Sequence, residues 1–435
     1  MPMSDPEQSV RAAVAAATAP VLVGFSGGLD STVLLHALAA SPALRAQGLR
    51  AIHVHHGLIA AAERWTEHCI AACARWDVTL EVRHVQVPLD SGLGMEGAAR
   101  RARRRAFAET LQAGEWLALA HHQDDQAETF LLRALRASGP DGLAAMRAQA
   151  PFAAGILWRP LLELPRAALE AYARQHGLHW IEDPSNADDR FDRNYLRHHV
   201  LPLLRRRWPQ ADAALAGSAR LCAEAVELLD DEDTALLQGA LHADGTLQVE
   251  PLAAQPPARR ARLLRRWVTA RCAPPLPAHG VAALERLLDR EADGAEASFR
   301  WRDREVRRWR DALHLLVLPL PELPPNWQAG WDGQAPLALP DGTRLSLEGA
   351  KEGFGSVLQV RPRRGGERIV LPGRSHSHAL KHVLQDAGIA PWQRPVLPLL
   401  YEGERLLAAG DRILAAPFAQ WLRERGARLR WRTPN

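Results

Sequence analysis

The sequence predicts an α/β protein in three parts: a doubly wound parallel sheet over residues 1–210, a helical middle domain over 211–325, and a small α+β C-terminal domain over 335–435. Three observations predict it. Roughly the first 130 residues alternate short apolar runs with amphipathic stretches of helical length, as parallel strands joined by crossover helices do. Long amphipathic stretches without strands follow. After the proline-rich "LPLPELPPNW" (318–327), short alternating runs and turn signals such as "PDGT" and "RGGER" take over.

In chain order, "VLVGF" (21–25) reads as a buried strand and "STVLLHALAA" as a helix opened by Ser31. "LRAIHVHH" is a second strand, and "AAAERWTEHCIAACARW" a helix with one apolar face. "LEVRHVQV" is the third strand, "MEGAARRARRRAFAETLQ" its helix, "WLALAHH" (116–122) the fourth strand and "DQAETFLLRAL" the helix after it. Doubly wound sheets gather ligands at the carboxyl ends of their strands. Ser26–Ser31, His55–Gly57 and His121–Glu128 all fall there. Beyond "WPQADAAL" (208–215), residues 212–240 and 258–290 are amphipathic at helical period, joined by "LAAQPPA".

Composition narrows the class. Of 435 residues, 47% are apolar and 24% charged, ordinary values for a soluble globular chain. No run approaches the roughly 18 apolar residues of a membrane span, so no membrane partner is expected. The opening "MPMSDPEQSVRAAVAAATAP" does not have the pattern of a signal peptide. Cys69, Cys73, Cys222 and Cys272 form no CxxC pair, which points to a reducing cytoplasm and away from a disulfide framework or a zinc or iron–sulfur site. The net charge of +4 is uneven: residues 344–435 hold 16 Lys+Arg against 8 Asp+Glu. A basic module of this kind fits a polyanion such as nucleic acid, or a solvated arginine-rich surface.

The chemistry concentrates in four stretches. "FSGGLDST" (25–32) is a glycine-rich strand-to-helix turn, the geometry that cradles phosphate on backbone N–H groups at a helix start. A Walker A loop adds a lysine for the outer phosphates; this loop has Ser26, Asp30 and Ser31 instead, with Asp30 suited to Mg²⁺. In "HHQDDQAETFLL" (121–132), Asp125 with Glu128 and Asp124 with Glu128 share one helix face. His121 and Asp125 have metal-ligand spacing, although an ammonium ligand or Mg²⁺ suits the cluster better than zinc. "EGAARRARRRAF" (96–107) puts Arg100 and Arg104 on one side of a helix, facing phosphates or solvent. In "DPSN" (183–186) and "RNYLRHHVLP" (193–202), turn chemistry precedes Arg193, Asn194 and Arg197, which fit a nucleic-acid groove.

These residues together resemble the tRNA(Ile)-lysidine synthetases, a bacterial family of the PP-loop ATP pyrophosphatase superfamily with its adenine nucleotide α-hydrolase-like fold. The resemblance runs through "SGGLDS" (26–31), "HHGL" (55–58), "EGAAR" (96–100), "HHQDDQAETFLLRALRASGPDGLAAM" (121–146), "RPLLEL" (159–164), "DPSN", "RNYLRHHVLP" and the long stretch 380–410. It implies a ligase that cuts ATP to AMP and pyrophosphate, adenylates the C2 oxygen of the wobble cytidine in the CAU anticodon of tRNA(Ile), and joins free L-lysine to C2. Codon reading then changes from AUG to AUA. By the same resemblance Ser26, Gly27, Gly28, Leu29, Asp30 and Ser31 bind ATP, Asp30 holds Mg²⁺, and Arg100 meets the nucleotide or the adenylated intermediate. Asp125 and Glu128 bind the lysine, and one of them or His121 takes its proton. Arg193, Asn194, Arg197 and Lys381 contact the tRNA. Three positions depart from the family pattern: Arg104 stands where an aromatic is expected, and His55 and Ile59 where Asn and Arg are common. A PP-loop thiolase is the alternative within the superfamily, although paired cysteines are absent; a tRNA-binding protein with an inactive nucleotide pocket is the other. The oligomeric state stays open, a homodimer included.

Overall fold

The computed structural model describes residues 5–57, 62–87, 94–271, 274–289, 298–350 and 352–432. Ile59, Cys272 and Lys351 lie outside them. The chain forms two compact units, Met1–Glu232 and Asp233–Asn435.

The first unit begins with α1 (Pro6–Val14), β1 (Val21–Gly24), α2 (Leu29–Ala39), α3 (Pro42–Gln47), β2 (Leu49–His55), α4 (Ala62–Arg75) and β3 (Thr79–His84). It continues with α5 (Gly94–Thr110), β4 (Trp116–Ala118), α6 (Gln123–Ala134), α7 (Pro140–Leu143), β5 (Gln149–Phe152), β6 (Gly155–Trp158) and α8 (Arg166–Gln175). The six strands lie in the order β3-β2-β1-β4-β6-β5. All neighbours are parallel except β5, which returns antiparallel on β6 through a hairpin.

Alternation along β1 shows why the sheet is wound on both faces. Val21 and Val23 pack with Val33, Leu34, Cys69, Leu169 and Tyr172. Leu22, between them, turns to the other face and packs with Ile52, Phe107, Leu117 and Leu157. A strand buried on both sides needs a continuous apolar run, and "VLV" supplies it.

Two local expectations change, and one element was not anticipated. The helix read as opened by Ser31 starts at Leu29 with Gly28 as its N-cap, because the Ser31 hydroxyl donates back to the Gly28 carbonyl at 3.0 Å. The fourth strand ends at Ala118, so His121 and His122 lie in the turn beyond it. The β5–β6 hairpin was not legible as strand from its pattern, since it is short and interrupted by Pro151 and Gly155.

After α8 come α9 (Asp192–Tyr195), a π-helical turn at Leu196–Val200, α10 (Leu201–Arg207) and α11 (Ala211–Ala240). The division between the units falls inside α11. In the second unit, helices Pro257–Ala270 and Ala278–Arg286 accompany an antiparallel sheet of Leu247–Gln248, Ser298–Trp301, Arg304–Trp309 and Ala312–Val317. Leu263, Leu264, Trp267, Leu284, Val306 and Leu313 form their shared core. The middle region is thus helical with a sheet that the helical reading of 211–325 did not include. The C-terminal part is α+β as expected, a five-stranded and a three-stranded antiparallel sheet with helices Leu380–Asp386 and Ala416–Glu424. Among the described residues no helix is long and apolar enough to cross a membrane.

One ion pair ties the sheet together at the end opposite the ligand side. Arg50, at the start of β2, donates from Nε and Nη2 to the two oxygens of Glu115 at 2.7 and 2.6 Å, and from Nη2 to the Thr110 carbonyl at 2.7 Å. The hairpin closes directly on this point: a Cβ on Gly155 would sit 2.0 Å from the Glu115 carbonyl oxygen. Gly155→Ala is therefore expected to lower stability by about 1–3 kcal/mol through overpacking. Gly217→Ala, in an open helical position with nothing within 4 Å, is expected to leave stability unchanged or raise it. Thermal melts of the two variants check this.

Candidate active site

The site is assembled at the carboxyl ends of β1 and β4. After β1 the chain turns at Gly27, whose φ of +82° favours glycine and where a Cβ would stand a tight 3.0 Å from the Cys69 sulfur. Cys69 is in turn 3.4 Å from His53 Nδ1, which lies 3.0 Å from the Phe25 carbonyl, so the loop rests on a buried platform. The Ile181 N–H donates to the Gly27 carbonyl at 2.9 Å, closing the loop from the "DPSN" side.

Gly28 caps α2 without a side chain, and the first helical bond runs from the Thr32 N–H to the Gly28 carbonyl. The N–H groups of Leu29, Asp30 and Ser31 form the first turn, where an α-helix leaves its donors to an outside partner. Ser31 is buried, and its hydroxyl lies 3.0 Å from that of Ser26 and accepts from the Ser26 N–H at 3.3 Å. The serine read as a phosphate donor thus spends its hydroxyl shaping the loop. Ser26 is exposed at the rim.

Beside this loop stand the carboxylates. His122 is the N-cap of α6 and is 2% exposed, and its backbone N–H donates to Asp125 Oδ2 at 3.1 Å. Its ring lies between three acids: Nε2 is 3.7 Å from Asp30 and 3.5 Å from Asp125, and Nδ1 is 3.6 Å from Asp124. Burial opposes charge on this ring, but Asp124, Asp125 and Asp30 together hold its pKa above the ordinary value. Burial, helped by the like charge of Asp125, pushes the Asp30 carboxyl up against the pull of His122. For Asp125 the balance reverses: burial is overcome by His122 first and by Arg193, and its pKa falls.

Glu128 lies deeper, with its side chain 1% exposed. Arg197 grips it from Nε at 2.7 Å and Nη2 at 3.0 Å, and Arg193 Nε is 3.0 Å away. Burial nonetheless raises the Glu128 pKa. Arg193 also donates to Thr129 Oγ1 at 2.7 Å, while Arg197 reaches Asp125 at 3.4 Å. Asn194 is buried and donates to the Ser185 and Asp188 carbonyls, both at 2.9 Å. The three residues read as a nucleic-acid groove thus make these bonds inside the domain. Arg197 sits on the π-helical turn, a rare local geometry common at functional sites.

Arg100 is exposed on α5, near enough for its charge to act on His121 and Arg159. Arg104 has its guanidinium 4.6 Å from the centroid of the Phe152 ring, so the arginine at the expected aromatic position still joins an aromatic contact. Four contributors were not singled out from the sequence: His122, Arg159, Arg166 and Arg205. Arg166 donates its N–H to Asp124 at 2.9 Å and places Nε 3.9 Å from Asp30; Arg205 reaches Asp124 at 2.9 Å. The "HH" and "RPLLEL" stretches were visible signals for two of the four. Far along the chain, Lys381 is exposed. In the same module a cavity of about 640 Å³ is lined by Arg374, His378, His382 and Arg412 among apolar side chains.

Residues 4–204 match a family described as PP-loop domain, 247–314 the TilS substrate binding domain, and 358–431 the TilS substrate C-terminal domain. The chain is 59% identical over 415 residues to the tRNA(Ile)-lysidine synthase of Xanthomonas axonopodis pv. citri, covering 95% of this chain and 94% of that one. The enzyme of that name from Xylella fastidiosa Temecula1 is 57% identical over 420 residues, covering 96% of each chain. That of Salmonella newport is 46% identical over 410 residues, covering 89% and 91%.

The acid cluster has a measurable pH signature. Burial works against ionisation of Asp124, yet His122, the Arg166 N–H and Arg205 overcome it and bring the carboxyl from 3.8 down to about 2. A depressed carboxylate pKa adds stability above the unfolded value, and that stability is lost as pH falls through the folded value. Asp124→Asn is expected to cost ~2 kcal/mol at pH 7, with the deficit fading between about pH 4 and pH 2. Urea unfolding at pH 7, 4 and 2.5 reads this directly.

Proposed function

This chain belongs to the tRNA(Ile)-lysidine synthase family, and we propose that it joins free L-lysine to C2 of the wobble cytidine of tRNA(Ile) with a CAU anticodon. It is an ATP-using ligase that forms a carbon–nitrogen bond. The observation that carries the reading is a helix-start anion cradle set against a carboxylate edge, with His122 in contact range of both Asp30 and Asp125.

Two half-reactions fit the two sides. In the first, the cytosine C2 oxygen attacks the α-phosphorus of ATP; the new O–P bond replaces the bond to pyrophosphate. The Gly27–Ser31 loop receives phosphate oxygens on its backbone donors. Gly28 supports this reading: its φ is −77° and a Cβ there would meet nothing closer than 3.5 Å, so the protein's own packing does not demand glycine. A bare backbone serves an approaching phosphate. Asp30 suits Mg²⁺, because Oδ1 is a buried oxygen with no hydrogen-bond partner and Mg²⁺ binds through one or two carboxylates plus phosphates. When bound, Mg²⁺ would neutralise charge on the departing pyrophosphate. Arg100 is assigned to the nucleotide side.

In the second half-reaction the lysine ammonium gives up one proton, the freed ε-nitrogen forms a bond to C2, the C2–O bond breaks, AMP leaves, and the nitrogen loses a second proton. Asp125 is the carboxylate we assign to the incoming ammonium, through charge-assisted hydrogen bonds. Glu128 serves the same edge from beneath, by holding Arg193 and Arg197 in place. The basic C-terminal module, with Lys381, Arg374 and Arg412, is assigned to tRNA phosphates. The cytoplasm is the setting for such chemistry.

Incubation with ATP, lysine and tRNA(Ile) is expected to release AMP and pyrophosphate and to add one lysine to the tRNA by mass spectrometry. ADP and inorganic phosphate as primary products contradict the reading. Asp30→Ala is expected to abolish AMP formation, whereas Asp125→Asn is expected to let adenylated tRNA form and accumulate. For the C-terminal module, replacing Arg374, Lys381 and Arg412 by Glu is expected to weaken tRNA binding. Its log–log salt slope should flatten by roughly two to three, since each lost phosphate contact removes about 0.9. Unchanged slope in a filter-binding series places those contacts elsewhere.

A further inference from the structure

His121 follows β4 one residue before the acid-bound His122, yet its surroundings are opposite in character. Arg159, the residue after β6, donates from Nε to His121 Nδ1 at 3.2 Å. The same guanidinium is held by a second bond, from Nη1 to the Arg147 carbonyl at 2.7 Å, so the Nε–H direction is fixed. An arginine Nε–H is always a donor, so the Nδ1 it meets is a bare lone pair. A neutral imidazole with bare Nδ1 carries its proton on Nε2.

We propose that Arg159 fixes His121 as the neutral Nε2–H tautomer, so that His121 gives the site a hydrogen-bond donor for an anionic phosphoryl oxygen and is not the base that takes the lysine proton. This rests on the ligase reading above for the identity of the oxygen, and on geometry alone for the tautomer. To accept a proton His121 would have to take it on Nδ1. That would set an imidazolium N–H against a guanidinium N–H across 3.2 Å, two cations and two donors without an acceptor. The groups acting on the ring are Asp125 on one side and Arg159, Arg193 and Arg100 on the other. Burial and the arginines outweigh Asp125 and push His121 down to about 3. His122 is raised, His121 lowered, and the two adjacent rings divide the work: one a cation among carboxylates, the other a neutral donor. The proton that the ammonium gives up before attack then passes to a carboxylate, for which Asp125 is placed, and a second leaves once the nitrogen–C2 bond has formed and made it acidic.

The test begins with the full chain alone, labelled with ¹⁵N-histidine, and the His121 signals assigned by their loss in His121→Gln. Long-range proton–nitrogen spectra are expected to show a protonated Nε2 and a bare Nδ1, unchanged from pH 5.5 to 8. An Nδ1–H tautomer, or an imidazolium forming in that range, overturns the proposal. Arg159→Met is expected to let the Nδ1–H tautomer of His121 appear, while Arg159→Lys, which still offers a donor, keeps the Nε2–H tautomer; an unchanged tautomer in Arg159→Met shows that Arg159 is not the positioning residue. With ATP and tRNA added, His121→Gln puts an amide N–H near the Nε2 position and is expected to keep pyrophosphate release within about tenfold, whereas His121→Asn loses about 100-fold. If both instead release pyrophosphate and form adenylated tRNA normally and fail only at lysine transfer, His121 is the base and the proposal falls. The tautomer measurement stands apart from the reaction, so a failure of the ligase reading alone would leave it intact.

Discussion

Asp30, Asp124, Asp125 and Glu128 crowd the start of two helices beside the same loop, and like charges this close drive one another toward protonation. Much of the site can be read as the answer to that repulsion. His122 lies within 4 Å of three of the acids. Arg197 and Arg193 enclose Glu128, Arg205 and the Arg166 N–H take Asp124, and Arg166 approaches Asp30. Those arginines come from residues 166–205, so the chain must return to the sheet's carboxyl edge after β6. The α8–α10 segment is therefore part of the site's electrostatics. Removing one partner of a buried pair leaves an uncompensated charge, which costs far more than the pair itself contributes.

That dependence explains which parts were legible in the sequence. β1 to β4 and their helices follow from local periodicity, because buried parallel strands and amphipathic helices declare themselves over a few residues. The turns bearing Ser26–Ser31 and His121–Glu128 follow from the same pattern, since the fold puts strand ends on one edge. What was not legible depends on contacts between distant segments. Arg193 and Arg197 look like exposed basic residues in "RNYLRHHVLP"; only the fold sets them 64 and 69 residues away in sequence, on Thr129 and Glu128. The π-helical turn that presents Arg197 has no sequence pattern comparable to a cap or a heptad. Ser31 misled for a local reason: serine is a common N-cap, but here a glycine three residues earlier caps the helix and the hydroxyl folds back on it.

The middle region failed to declare its sheet for another reason. Its strands are short, antiparallel and rich in arginine, as in "REVRRW" (304–309), where long basic side chains mask the two-residue alternation. Val306 is fully buried beside the half-buried Arg307 and Arg308. Hydropathy sees the arginine; the pleat sees the valine. In an arginine-rich chain with only two lysines, charge is a poor guide to exposure, because guanidinium groups are readily accommodated in partly buried pairs.

Two ends of the proposed reaction meet at one histidine. Asp30 belongs to the loop assigned to pyrophosphate, and Asp125 to the edge assigned to the amine, yet His122 lies within 4 Å of both. A cation arriving at either carboxylate competes with the charge on that ring. The field at one end is thus set by the occupancy of the other, without any moving part. The neighbouring His121, held by Arg159 away from the acids' proton exchange, contributes no charge to that balance. A site that must first stabilise a departing anion and then admit a cation gains from this separation. The charge that has to vary resides on the ring among the carboxylates, and the donor that has to stay constant resides on the ring beside the arginine.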